Sequence, residues 1–127
     1  MEDESTTSTR YNMSSLSAPS LLRLTYKGKT VSIYKEDTPY LIGRDKKSCN
    51  FIVDTDFASR NHCKIMYQDK VFFLEDCSRN GTHVQLGNAP QTMLLGNSIH
   101  LVGRGVFKLG QSISEQDPDA IQFKLDF

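Results

Sequence analysis

Residues 62–86, HCKIMYQDKVFFLEDCSRNGTHVQL, contain three short runs of strand-forming residues separated by two turn segments. The runs are HCKIMY, KVFFLE and THVQL, and the turns centre on Gln68-Asp69 and Asn80-Gly81. Asn-Gly is a preferred pair in tight hairpin turns, because both residues adopt positive φ readily. The segment therefore predicts consecutive strands of an antiparallel sheet.

Strand-like runs of similar length continue on both sides of this segment. They are LLRLTY (21–26), KTVSIY (29–34), PYLIGR (39–44), FIVD (51–54), SIHLV (98–102) and IQFKLDF (121–127). The last run alternates apolar and polar residues, which is the period of a strand buried on one face. No segment shows helical periodicity of comparable length. We predict an all-β fold, an antiparallel β-sandwich of two twisted sheets with the binding loops at one end, and a long loop over residues 103–118.

Length and composition restrict the domain organisation and the partners. A chain of 127 residues fits one domain, which we place at residues 20–127, after a disordered Ser/Thr-rich tail at residues 1–19. The 15 basic and 15 acidic residues balance, so no overall field favours nucleic acid or a membrane surface as partner. The start of the chain is acidic, unlike a secretory signal, and we expect a soluble intracellular protein.

The cysteines and histidines do not predict a metal site or an enzyme. Cys49, Cys63 and Cys77 form neither a disulfide framework nor the short pairs of a zinc site, and we expect free thiols with no metal or cofactor. His62 lies three residues after Ser59, but the chain lacks a nucleophile elbow and an evident acid partner for a hydrolytic triad. We therefore predict that the domain has no catalytic residues.

Three polar loop segments carry the candidate chemistry: Gly43-Arg44, Ser59-Arg60-Asn61-His62 and residues 76–82, DCSRNGT. A phosphate dianion in a surface site needs cations and several hydrogen-bond donors. Arg44 and Arg60 supply the cations, Ser59 supplies a hydroxyl, and a guanidinium can meet two phosphate oxygens at once. From its sequence context alone, Asn80 is better explained as a turn residue before glycine.

In this order and spacing, the three segments resemble the signature of the forkhead-associated (FHA) domain, over residues 21–127. The resemblance implies an FHA-like sandwich that binds a phosphothreonine-containing partner protein. It assigns the phosphopeptide contacts to Arg44, Ser59, Arg60, Arg79 and Asn80, with the Asn80 amide on the peptide main chain. It assigns structural support of the site to Gly43, His62, Gly81 and Thr82, with His62 as a buried brace. It also implies a small pocket for the threonine methyl group.

Family members usually read the third residue after the phosphothreonine through side chains before the Ser-x-x-His element and through the loop before the last strand. By this resemblance, the possible specificity contacts here are Phe57 and Arg104. Phe57 favours an apolar residue of the peptide and Arg104 an acidic one, so both preferences stay open. Phe57 could instead be an ordinary core residue.

FHA domains are common in DNA-damage-checkpoint and meiotic protein kinases, so the resemblance leads us to expect the regulatory domain of such a kinase, in the nucleus. Phosphorylation-dependent self-association, with Thr6, Thr7 or Thr9 of one copy in the site of another, is a further expectation. The alternative function is a sandwich that binds protein partners or dimerises independently of phosphate. Equal affinity for phosphorylated and unphosphorylated peptides would favour that alternative.

Overall fold

A computed structural model describes residues 18–127. Most of the predicted disordered tail, residues 1–17, lies outside the described residues. Within the described part, no helix is both long enough and apolar enough to cross a bilayer.

The described residues form eleven strands and one short 3-10 turn at Lys35–Asp37. The strands are β1 (Leu21–Tyr26), β2 (Lys29–Tyr34), β3 (Tyr40–Gly43), β4 (Phe51–Ile52), β5 (Cys63–Gln68), β6 (Val71–Asp76), β7 (Thr82–Leu86), β8 (Thr92–Leu94), β9 (Ser98–His100), β10 (Arg104–Leu109) and β11 (Ile121–Asp126). One sheet has the order β2-β1-β11-β10-β7-β8, and the other has the order β4-β3-β5-β6-β9. The predicted all-β sandwich is confirmed.

Alternation along the strands builds the core between the two sheets. In β11, Ile121, Phe123 and Leu125 are buried while Gln122 and Lys124 are exposed. The other sheet contributes buried residues in the same way, because successive side chains of a strand point to opposite faces. The largest fully buried side chains of the core are Phe72, Phe107, Leu22, Leu24, Ile33, Ile42, Ile65, Leu74, Leu94, Leu101 and Ile121.

The strand pairs are antiparallel except for β3 and β4, which run parallel over two residues of β4. The predicted antiparallel sandwich therefore also contains one short parallel pair at an edge. The segment between β3 and β4 begins at Arg44, so this crossover carries one of the candidate site loops.

The predicted long loop at residues 103–118 is wrong in its first half, which forms β10 at the centre of the six-stranded sheet. The glycines beside Arg104 suggested a loop, but Gly105 is a strand residue in very close packing. A Cβ at Gly105 would overlap the Gln85 carbonyl oxygen and the ring of Phe123. Glycine therefore permits the approach of neighbouring strands here and does not end the strand. The loop before the last strand comprises residues 110–120.

Strand direction brings the candidate loops to one end of the sandwich. The end of β3 pairs with the start of β5, where Ile42 lies opposite Cys63, and Cys63 lies opposite Asp76 at the end of β6. The start of β7 at Thr82 pairs with the end of β10 at Leu109. The loops after β3, before β5, between β6 and β7 and after β10 therefore share one end, as predicted.

Candidate functional site

The loop that carries Arg44 is joined through the main chain to the loop that carries Ser59. The Arg44 amide donates to the Ser59 carbonyl at 3.0 Å, and the Asp45 amide donates to the Arg60 carbonyl at 3.1 Å. A Cβ at Gly43 would overlap the Arg60 carbonyl oxygen and crowd the His62 amide. Gly43 is buried and supports the site by permitting this close approach.

His62 joins the Ser59 loop to the loop between β6 and β7. Its side chain is fully buried, and its Nδ1 accepts a hydrogen bond from the Ser59 amide at 2.9 Å. The proton of the neutral ring is therefore on Nε2, which donates to the Gly81 carbonyl at 2.9 Å. Burial lowers the pKa of His62, against the opposing effects of the Gly81 carbonyl and Asp76. The neutral imidazole is thus a brace between the two loops.

The same geometry argues against hydrolytic catalysis. His62 binds the Ser59 main-chain amide, so Nδ1 is occupied by that proton, and the other ring nitrogen is committed to Gly81. A serine nucleophile needs its hydroxyl hydrogen-bonded to the base. Here the Ser59 hydroxyl oxygen instead accepts from the Arg79 amide at 3.3 Å. Its own proton remains available to a ligand, because a hydroxyl both donates and accepts.

Asp76 organises the loop that presents Asn80, a role that the sequence motifs did not predict. This carboxylate is buried and accepts from the Ser78 hydroxyl at 2.6 Å, the Thr82 hydroxyl at 2.7 Å and the Gly96 amide at 2.9 Å. The Ser78 hydroxyl in turn accepts from the Gly81 amide at 2.7 Å. An Asp followed two residues later by Ser at a strand end is a turn-forming pattern that could have indicated this role.

Gly81 has a positive φ of +92°, which side-chain-bearing residues rarely adopt. A Cβ there would lie 3.0 Å from the Leu94 carbonyl oxygen and from the side chain of Met93. Glycine is therefore required on two counts, conformation and space. The buried Thr82 hydroxyl donates to Asp76. Gly81 and this hydrogen bond together fix the position of Asn80 at the end of the sandwich.

These loops surround one open pocket. Its lining residues are Arg44, Asp56, Phe57, Ala58, Ser59, Arg60, Arg79 and Asn80. The three arginines are exposed, and within residues 18–127 none of them forms a salt bridge. With one carboxylate against three guanidinium groups, the pocket is locally cationic in a chain of zero formal net charge. It offers cations, a hydroxyl and an amide to an anionic ligand.

All five residues predicted to contact the phosphopeptide are in this pocket, and the four predicted supporting residues lie in or beside its loops. Phe57 also lines the pocket and is 47% exposed as a residue, so the alternative that it belongs to the core is wrong. Arg104 is not brought to the pocket. It begins β10 opposite Lys124, about 17 Å along the strand from Leu109.

The loop that does reach Phe57 begins at Gly110, which the sequence analysis left out of the site. The Gly110 amide donates to the Gly81 carbonyl at 2.9 Å, and a Cβ at Gly110 would overlap the Phe57 carbonyl oxygen. Gln111, the next residue, lines a small cavity with Phe57. The glycines on either side of Arg104 indicate a loop in the sequence, whereas the structure places Arg104 at the start of β10.

Possible metal ligands and the cysteines do not form a second reactive site in the described residues. The described residues contain no group of three or more His, Cys, Asp and Glu side chains that could hold a metal ion. The three cysteines are free thiols. Cys63 is buried, and burial raises the pKa of its thiol well above the ordinary value.

A β-sandwich with a cationic pocket in the loops of one end is the architecture of a ligand-binding module. The family model described as "FHA domain" matches residues 40–110, more than half of the chain. The chain therefore belongs to the FHA domain family, as the resemblance predicted. The FHA domain is a phosphopeptide-binding module and not a catalytic domain, in agreement with the prediction that it performs no chemistry. No curated protein sequence matches the chain significantly.

Solved FHA domains share the fold at low sequence identity. The FHA-1 domain of Mycobacterium tuberculosis Rv1747 is 20% identical, with a TM-score of 0.64 over 87% of this chain and 100% of that one. The MEK1 FHA domain in complex with a phosphothreonine peptide of HOP1 is 21% identical, with a TM-score of 0.62 over 84% of this chain and 97% of that one. An FHA domain of an Arabidopsis thaliana hypothetical protein is 20% identical, with a TM-score of 0.62 over 96% and 94% of the two chains.

Proposed function

We propose that this domain binds phosphothreonine-containing segments of partner proteins at the pocket formed by Arg44, Ser59, Arg60, Arg79 and Asn80. The observation that carries the proposal is the meeting of these side chains from three loops around one open, cationic surface. The structurally similar MEK1 FHA domain was solved in complex with a phosphothreonine peptide, and this complex supports the same class of ligand here.

The phosphate dianion would lie between Arg44, Arg60 and the Ser59 hydroxyl. Charge-assisted hydrogen bonds are roughly twice as strong as neutral ones, and a guanidinium can meet two oxygens at once. The main-chain bonds between the two loops hold Arg44 and Ser59 in register before the ligand arrives. The cost of ordering the site on binding is thereby reduced.

Asn80 and Arg79 would contact the peptide beside the phosphorylated residue. The Asn80 amide offers a donor and an acceptor, which matches the main-chain carbonyl and amide of an extended peptide. Burial of the threonine methyl group near this loop would contribute on the order of 1 kcal/mol, a several-fold preference over phosphoserine. Asp76 supports this readout, because its hydrogen bonds fix the turn.

The third residue after the phosphothreonine would contact Phe57. Phe57 is half exposed in the pocket, and the adjoining loop contributes Gln111 and Asp119 to the cavity beside it, neither of which is a cation like the predicted Arg104. We therefore propose a preference for an apolar residue at this peptide position. The earlier acidic alternative depended on Arg104, which lies elsewhere.

An oriented phosphothreonine peptide library, screened against wild type and Arg44→Ala, tests the proposal. Loss of Arg44 leaves a partly desolvated phosphate without its bidentate partner, which should cost about 2 kcal/mol or more, roughly a thirtyfold loss of affinity. Lys35→Ala is the control, because it removes an exposed cation outside the pocket. Wild-type affinity in Arg44→Ala would contradict the site assignment. Equal binding of unphosphorylated peptides would instead favour a phosphate-independent interaction domain.

We further propose a nuclear signalling context, as the regulatory domain of a checkpoint or meiotic kinase, on the resemblance described above. Nuclear localisation of the tagged full-length protein is the expected result, and exclusion from the nucleus would contradict it. Self-association through phosphorylated Thr6, Thr7 or Thr9 is proposed because these threonines belong to the same chain as the pocket and could enter the pocket of a second copy. Sedimentation of the phosphorylated chain at high micromolar concentration should then show dimers, and a monomer would discard the idea.

A further inference from the structure

A second cationic surface lies on the outer face of the six-stranded sheet, near the end opposite the phosphothreonine pocket. In β1, β11 and β10, Arg23 lies directly opposite Lys124, and Lys124 lies directly opposite Arg104. Neighbouring strands are about 4.8 Å apart, so the Cα atoms of the three basic residues fall within about 10 Å. We call this set, Arg23, Lys124 and Arg104, the basic row.

The basic row borders a broad concavity on this face. The concavity is also lined by the hydrogen-bonding side chains of Thr25, Thr30, Gln85, Asn88 and Gln122. The three residues of the basic row and these five polar residues all lie outside the phosphothreonine pocket. The basic row is therefore a separate surface of the domain.

The charges of the basic row are incompletely compensated. Arg23 pairs with Asp126, whereas Lys124 and Arg104 have no carboxylate partner within residues 18–127. Lys108 lies on the same face of β10, and its ammonium group is 2.7 Å from Asp117 of the loop that follows. Lys108, which lies nearer the pocket, is therefore paired with a carboxylate, whereas Lys124 and Arg104 are not paired within residues 18–127.

Fold stability does not explain this arrangement. Like charges directly opposite each other on paired strands are destabilising, and Arg104, Lys124 and Arg23 form two such pairs in succession. An anionic ligand across the row would remove the repulsion. The geometry points to a docking surface for a carboxylate-rich segment.

We propose that the basic row binds an acidic, Asp/Glu-rich segment of the same partner polypeptide whose phosphothreonine occupies the pocket, an inference that rests on the proposed function. A polypeptide fits the surface better than nucleic acid, because the row has only three cations in a chain of zero net charge. Nucleic-acid surfaces combine broader basic patches with aromatic stacking platforms. Thr25 and Thr30 hydrogen-bond each other and Gln85 donates to the Ala89 carbonyl, but their oxygens can still accept from peptide amides.

The distance between the two sites sets the length of the partner segment. Arg104 and the pocket end of β10 are five residues apart, about 17 Å along the strand. A flexible linker of about twelve residues has a root-mean-square span near 20 Å, enough to join the sites. Such a link raises the effective concentration of the acidic segment at the row to the millimolar range.

The test uses the full chain and two classes of peptide. A short phosphothreonine peptide selected by the library is compared with versions that carry hexaglutamate after a Gly/Ser linker of about twelve residues on either side. We expect one extended version to bind about fivefold more tightly than the short peptide, an advantage lost near 0.5 M salt. Arg104→Ala/Lys124→Ala should abolish the advantage and leave the short peptide unaffected.

The control is Lys35→Ala/Lys70→Ala, which removes two exposed cations outside both surfaces. It should retain the fivefold advantage. Equal affinity of the extended and short peptides would overturn the inference while leaving the phosphothreonine pocket intact. Failure of the short peptide itself would instead overturn the proposed function. Tighter binding of single-stranded RNA or phosphatidylserine vesicles than of hexaglutamate, lost in Arg104→Ala/Lys124→Ala, would also overturn the assignment to an acidic polypeptide.

Discussion

Replacement of His62 by alanine should destabilise the whole binding end of the domain. The imidazole is fully buried and makes two hydrogen bonds, at 2.9 Å each, to the Ser59 amide and the Gly81 carbonyl. A buried polar group left without its partner costs about 1–3 kcal/mol, and the cavity adds to this cost. We expect a loss of about 3 kcal/mol in the free energy of unfolding, a large part of the stability of a domain of this size.

Urea denaturation followed by circular dichroism measures this loss. The midpoint should fall while the slope of free energy against urea stays constant, because the folded state remains compact. His100→Ala is the matched control, since His100 is an exposed histidine at the far end of the sandwich, and its effect should stay within about 0.5 kcal/mol. If His62→Ala unfolds within 0.5 kcal/mol of wild type, the brace is not a major source of stability.

Two further predictions concern the same loops. Because burial lowers the pKa of His62 in the folded state, its contribution to stability is complete above the ordinary pKa of 6.5 and declines as pH falls below it. Urea midpoints of wild type should therefore fall below that pH more steeply than those of His62→Ala, and parallel profiles would contradict the assignment. Gly43→Ala should cost at least about 2 kcal/mol, because the Arg60 carbonyl must move away from the new methyl group. Hydrogen exchange at the Arg44 amide, which bonds to Ser59, should accelerate in this variant, and unchanged exchange would show that the loops do not depend on the close approach.

The sandwich and the pocket could be predicted because their signals are local in the sequence. Alternation in residues 121–127 defines one face of β11, and the turn residues around Asn80-Gly81 define the end of β6 and the start of β7. The three loop segments stand at strand ends, and strand direction brings them together without further information. Their assignment to one binding pocket came from the resemblance to the FHA signature.

The parts that could not be predicted depend on contacts between distant segments. Gly105 looks like a loop residue until the Gln85 carbonyl and the Phe123 ring are placed against it. The bonds of Asp76 to Ser78 and Thr82 follow a local turn pattern, but its bond to the Gly96 amide, twenty residues away, depends on the fold. Arg104 was misassigned because the error in β10 moved the loop before the last strand by several residues. The basic row likewise forms only when β1, β11 and β10 pair, so the sequence alone does not predict it.

Isothermal titration of one library-selected peptide, in threonine and phosphothreonine forms, tests the central claim most directly. Phosphate adds nearly two negative charges and strong acceptor oxygens. With Arg44, Arg60 and Arg79 around one pocket, we predict micromolar or tighter binding of the phosphorylated form and at least a hundredfold weaker binding of the other, a difference of about 2.7 kcal/mol. Indistinguishable affinities of the two forms would contradict the claim that this pocket reads phosphothreonine.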